Sequence, residues 1–115
     1  MTESSIMSDL MRVIAERKAA LQAEKSYVAS LMSGGVAKIG AKIVEEAAEV
    51  VEAGDEPGDV GREHLVKEVA DLVFHAMVLL GYRDVDWKEV EAELARRSGT
   101  SGLAEKASRR TVVSG

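Results

Sequence analysis

A chain of 115 residues, 46% hydrophobic and 30% charged, fits one compact domain and lies well away from the low-hydrophobicity compositions that remain disordered. The absence of cysteine excludes disulfides, thiolate catalysis and zinc–thiolate sites together, and the net charge of −5 argues against a nucleic-acid partner. The opening MTESSIMSDLMR has no basic start followed by an apolar run, and no stretch reaches the roughly 18 apolar residues of a membrane span, so a cytoplasmic protein without membrane contact is expected.

Met7, Leu10, Ile14 and Leu21 recur at helical intervals, with Arg17 on the same stripe, and predict a first helix over residues 8–23. After a turn near residues 23–25, Ser26 can cap a short helix carrying Tyr27, Val28, Leu31 and Met32, which Gly34–Gly35 stops by accepting positive φ. Val36, Ile39, Ile43, Ala47 and Val50 continue the pattern over 36–53, until AGDEPGDVG breaks it with three Gly and the only Pro. Residues 62–81 are apolar on most of their circumference, which predicts a helix buried on nearly all sides and ended by Gly81. Asp86 and Glu89 form a candidate capping box for a last helix, through Trp87, Val90 and Leu94, to about Arg97. No strand signal or internal repeat is present.

The expected fold is therefore all-α, a helical bundle of four to five helices. Residues 1–97 form its body, and 98–115 a basic tail of the same domain. With one Trp, two Tyr and one Phe its core must be aliphatic. So small a domain buries little surface per residue, so completion of the bundle by homodimerisation is expected.

The chemistry concentrates in Glu45-Glu46-x-x-Glu49 and Glu68-x-x-Asp71, because helix residues three apart share one face. Glu46 falls between Ile39 and Val50, inside the apolar stripe. In the other helix His64, Glu68, Asp71 and His75 make the only polar strip on an apolar surface. If the two helices form an antiparallel hairpin, both carboxylate pairs can converge. Setting aside these five acids leaves fifteen acids against fifteen bases, so the net charge is equivalent to this one cluster.

Like charges so close cost several kcal/mol unless compensated, and oxygen-only ligands suit a hard cation, Mg²⁺ or Mn²⁺, that keeps open positions for phosphates. The competing interpretation is a solvated acidic face, as Glu52, Asp55 and Glu56 are expected to be. His75 reads first as a satisfied, partly buried histidine, with a metal ligand or a donor that holds the carboxylate of Asp71 as the alternatives.

The signature E-E-x-x-E … E-x-x-D resembles that of the all-α, MazG-like nucleotide pyrophosphohydrolases. Three further segments, SYVASLMSGGVAKIGAKIVEEAAEVV, EVADLVFHAMVLL and ELARRSGTSGLAEKASRR, are similar to the phosphoribosyl-ATP pyrophosphohydrolase family from Leu10 to Arg110. The resemblance implies hydrolysis of a small-molecule nucleotide, phosphoribosyl-ATP, to phosphoribosyl-AMP and pyrophosphate in histidine biosynthesis. It also implies a metal site of Glu46, Glu49, Glu68 and Asp71, with Lys42 preceding them and Glu45 available to a further metal or the attacking water. The catalytic base is then Glu45 or Glu49. A general nucleoside triphosphate pyrophosphohydrolase is the alternative within the superfamily, and a non-catalytic helical interaction module the alternative outside it.

Residues 96–110 carry Arg96, Arg97, Lys106, Arg109 and Arg110 against the single acid Glu105. Arg97, Ser101, Lys106 and Arg109 are accordingly expected to contact substrate phosphates, with a plain basic tail as the other possibility.

Overall fold

A computed structural model of the chain describes residues 5–20 and 25–98. Among these it contains five helices and no strand: α1 (Ile6–Ala19), α2 (Tyr27–Ser33), α3 (Gly35–Gly54), α4 (Gly58–Tyr82) and α5 (Trp87–Ser98). The chain forms two compact units that divide after Val85, so α1–α4 belong to the first and α5 to the second.

Each boundary has a local cause. The Ser5 hydroxyl accepts from the Ser8 amide, so α1 starts two residues earlier than its apolar stripe suggests, and it ends at Ala19. The expected contribution of Leu21 lies outside the described residues. Ser26 caps α2 by accepting from Ala29 at 3.0 Å. Gly35, at φ +67°, then lets α3 follow almost without a loop.

The turn joining α3 to α4 is only residues 55–57, much shorter than the break expected from AGDEPGDVG. Pro57 sits at the N-cap of α4, where its missing N–H costs nothing. Gly61 belongs to the first turn of that helix because a Cβ there would meet the Glu56 carbonyl oxygen at 2.2 Å. The glycine that looked like loop is thus what allows the turn to close tightly.

Gly81 does not terminate α4. It is buried inside the helix, where a Cβ would lie 2.5 Å from Cγ2 of Ile14 on α1. The helix runs to Tyr82, and Asp84 takes the positive φ, 60°, that glycine was expected to supply. Lys18 closes this end by donating to the carbonyl of Tyr82 at 2.9 Å and to Asp84 Oδ1 at 2.8 Å.

Ile14, Leu31, Ile39, Met77 and Val78 form the fully buried centre, one or more from each of α1–α4. A buried side chain of this size contributes about 1.5–3 kcal/mol. Burial all round α4 holds only for its C-terminal half, which packs on α1 and α2. Its N-terminal half exposes Val60, Val66 and Val69. In the second unit, Glu89 accepts from the Asp86 amide while Asp86 Oδ2 accepts from Lys88 N, so the capping box is only partly reciprocal.

Candidate metal centre

The antiparallel hairpin of α3 and α4 turns both carboxylate pairs toward the same seam. Carboxylate oxygens of Glu46, Glu68 and Asp71 lie within 4.8 Å of one another. Glu46 is buried although charged, Glu68 is largely covered and Asp71 opens to solvent. One carboxylate oxygen of Glu46 and one of Glu68 are buried without any hydrogen-bond donor.

Glu49 stands outside this group of three but beside it. Hydrogen bonding to the Glu49 carboxyl is the first reason that the pKa of Glu68 is pushed up to about 7, followed by burial and by Glu46. Glu45 points outward, where it accepts from Lys42 at 3.3 Å. Lys42 also lies 3.9 Å from Glu46, and its pKa is raised above the ordinary value chiefly by the bond to Glu45.

Two acids, each with a buried oxygen that no donor meets, are costly side by side unless a cation meets them. The donor set is oxygen only, which fits a hard divalent ion with places left for water or phosphate and does not fit a soft metal. Glu46, Glu68 and Asp71 are the residues able to hold such an ion, with Glu49 adjacent.

Histidines finish the seam at both ends. His64 spans two acids, with Nδ1 2.9 Å from Glu56 and Nε2 3.2 Å from Glu68, and its pKa is raised first by the bond to Glu56. The step from His64 to Glu68 is legible as an i, i+4 pair, but Glu56 reads as an ordinary surface acid because its partner lies across the turn. His75 is buried and satisfied, as its first reading expects, with Nδ1 2.8 Å from the main-chain carbonyl of Asp71 and not bonded to that residue's carboxylate. A carbonyl can only accept, so in the neutral ring Nδ1 carries the hydrogen and Nε2 accepts from the Tyr27 hydroxyl at 2.7 Å.

Arg97 lies in the second unit, where its Nε is 3.0 Å from Glu93. Ser101, Lys106 and Arg109 lie outside the described residues. An open cavity of about 410 Å³ at the hairpin turn is lined by Glu56, Asp59, Arg62 and Leu65 among others, and by none of the acids of the seam. No described helix is long and apolar enough to cross a membrane.

Fold and seam together define, among the described residues, an all-α protein with a carboxylate group that could hold a metal ion. A family profile described as phosphoribosyl-ATP pyrophosphohydrolase matches residues 7–98. A protein named phosphoribosyl-ATP pyrophosphatase from Rhodopirellula baltica is 51% identical over 109 residues, covering 95% of this chain and 91% of its own. Proteins of the same name from Geobacter metallireducens and Novosphingobium aromaticivorans are 57% and 52% identical, over 90% and 95% of this chain and 92% and 98% of their own. The chain belongs to the phosphoribosyl-ATP pyrophosphohydrolase family.

Proposed function

We propose that this protein hydrolyses the α–β phosphoanhydride of phosphoribosyl-ATP to phosphoribosyl-AMP and pyrophosphate, the second step of histidine biosynthesis. Magnesium is the ion, held by Glu46, Glu68 and Asp71 with Glu49 alongside. The single observation that carries the proposal is the pair of buried, donorless oxygens of Glu46 and Glu68 within a group of three carboxylates. Family membership supplies the substrate.

In this reaction a water oxygen bonds to phosphorus as the bridging P–O bond breaks, and the water gives up its proton. When bound, the divalent ion would neutralise phosphate charge and lower the pKa of the water. Glu49 is the group we assign to orient the water and take its proton, because it lies next to Glu68 yet outside the group of three. Glu45 is already engaged by Lys42, so its role is to hold that lysine. Lys42, which Glu45 holds beside Glu46, would meet a phosphate oxygen of the bound substrate. No side chain needs to act as a covalent nucleophile.

The basic character of the tail supports phosphate contacts from Arg97, Ser101, Lys106 and Arg109. We also infer a cytoplasmic homodimer. Val44, Val51, Val66 and Val69 support it by leaving apolar surface on α3 and α4 exposed, with Val44 and Val66 each two positions, and so about half a helical turn, from Glu46 and Glu68.

The test is pyrophosphate release by purified protein from phosphoribosyl-ATP and from a panel of nucleoside triphosphates, each with magnesium and with chelator. Magnesium-dependent release from phosphoribosyl-ATP alone is expected. Comparable rates across the panel would assign a general nucleotide pyrophosphohydrolase instead, and release unaffected by chelator would overturn the metal centre.

A further inference from the structure

The chain has only four aromatic residues, one Trp, two Tyr and one Phe, and two of them meet one of its two histidines next to the acidic seam. Tyr27 and Phe74 are stacked at 6.4 Å with an 18° interplanar angle, and both rings meet His75 edge-on at 5.7 and 5.3 Å. His75 itself is buried, and both of its ring nitrogens are used. Its Nδ1 is fixed by the main chain of Asp71, and its Nε2 fixes the Tyr27 hydroxyl.

This arrangement places a polar group in an apolar interior, which is favourable only because both hydrogen bonds are made. What it secures is unusual: the ring that the buried histidine holds is not itself buried. Tyr27 stays 51% exposed, at the first residue of α2, with its hydroxyl end tied down by His75. A tyrosine serving only the core would bury its ring and leave its hydroxyl in water, the reverse of what is found.

The position of the ring is equally specific. Two hydrogen bonds in series, Tyr27 to His75 and His75 to Asp71, connect it to the backbone of a residue in the carboxylate group. The ring therefore stands beside the Asp71 end of the seam.

We propose that Tyr27 is a substrate-contacting residue, a pre-oriented stacking wall for the purine base of the nucleotide whose phosphates meet the carboxylate seam. His75 and Phe74 act as positioning residues for that wall. The inference rests on the nucleotide-hydrolase reading and adds to it the surface that distinguishes a nucleotide from a bare polyphosphate. An aromatic face held in advance gains stacking energy without first losing rotamer freedom.

Products provide the cleanest probes, because phosphoribosyl-AMP carries the base and inorganic pyrophosphate does not. Calorimetric titration of the full chain with each, in magnesium, should show Tyr27→Ala weakening phosphoribosyl-AMP about tenfold while leaving pyrophosphate within about twofold. Tyr27→Leu, which keeps apolar contact with Phe74, should give the same pattern if the alanine variant loses helicity. Tyr27→Phe keeps the ring but loses the His75 bond that orients it, so it should weaken phosphoribosyl-AMP less than Tyr27→Ala does, with pyrophosphate again within about twofold. In turnover, the leucine variant should raise KM for phosphoribosyl-ATP much more than it lowers kcat. Equal losses for the two products, or no loss for phosphoribosyl-AMP, would overturn the assignment. A parent protein that binds both products but fails to hydrolyse phosphoribosyl-ATP would remove the catalytic reading and leave the stacking wall standing.

Discussion

Glu46 on α3 and Glu68 on α4 oppose each other across the hairpin, each with one buried oxygen that no donor meets. In the metal-free protein this juxtaposition opposes folding. Glu46→Gln should therefore stabilise the metal-free chain by about 1 kcal/mol, a rise in Tm of about 4–8 °C for a domain of this size. The same variant should lose the stabilisation by magnesium that is expected of the parent, together with its turnover. Thermal melts with chelator and with magnesium read both effects, and a lower Tm for the variant in chelator would contradict the repulsion argument.

Glu45 and Glu49 have similar sequence credentials but different surroundings. Glu45 faces outward onto Lys42, whereas Glu49 stands by Glu68. Loss of a general base typically costs 10²–10⁴-fold in rate. We expect Glu49→Gln to lower kcat by about that factor with helicity retained, and Glu45→Gln to lower it by about tenfold or less while mainly raising KM through a displaced Lys42. Steady-state kinetics on the two variants checks the assignment, and the reverse ranking would transfer the role to Glu45.

Gly81 gives a test of the fold that leaves the seam chemistry untouched. A methyl group at this position would stand 2.5 Å from Ile14 Cγ2. Overpacking of this kind costs about 1–3 kcal/mol, so Gly81→Ala should lower the urea midpoint, and Ile14→Ala added to it should recover part of the loss by making room. Denaturation curves of the single and double variants, compared with Ile14→Ala alone, measure the coupling.

Helix content is legible in the sequence because apolar spacing and caps act locally: Ser26 and Gly35 each do in the structure what their neighbours imply, and the carboxylate spacing brings Glu46, Glu68 and Asp71 together while leaving Glu49 outside that group. The errors fell where the outcome depends on distant atoms. Gly81 looks like a stop until Ile14 is seen against it, and Gly61 looks like loop until the Glu56 carbonyl is found where its side chain would go. His75 follows the same rule. Its distance from Asp71 along the helix is written in the sequence, but its choice of a main-chain carbonyl and its grip on Tyr27 depend on how α2 packs on α4.

On α5, Arg96 and Arg97 both reach Glu93 and hold its carboxyl at about 2, below the ordinary value of 4.5. A carboxyl lowered in this way supports the folded helix above about pH 4.5, and the support is lost as pH falls through about 2. The side-chain carbon resonance of Glu93 should accordingly titrate with a midpoint near 2, moving up toward 4.5 in the Arg96→Ala variant. An ordinary midpoint in the parent would dissolve the cluster, and would also release Arg97 for the phosphate contact proposed for it.

The exposed valines of the hairpin bear on assembly. Val44 and Val51 lie seven residues apart on one face of α3, Val66 and Val69 three apart on one face of α4, and all four are more than a third exposed. Exposed apolar side chains of this kind gain stability when another surface covers them, and a homodimer would bury them away from the carboxylate seam. Sedimentation equilibrium should give about twice the 12.3 kDa chain mass for the parent, and a concentration-dependent shift toward the single-chain mass for Val44→Lys combined with Val66→Lys. Two lysines on a buried face cost far more than two on an exposed one, because each loses its hydration. A parent that sediments at 12.3 kDa, or a double variant that still dimerises with parental affinity, would remove this face from the assembly.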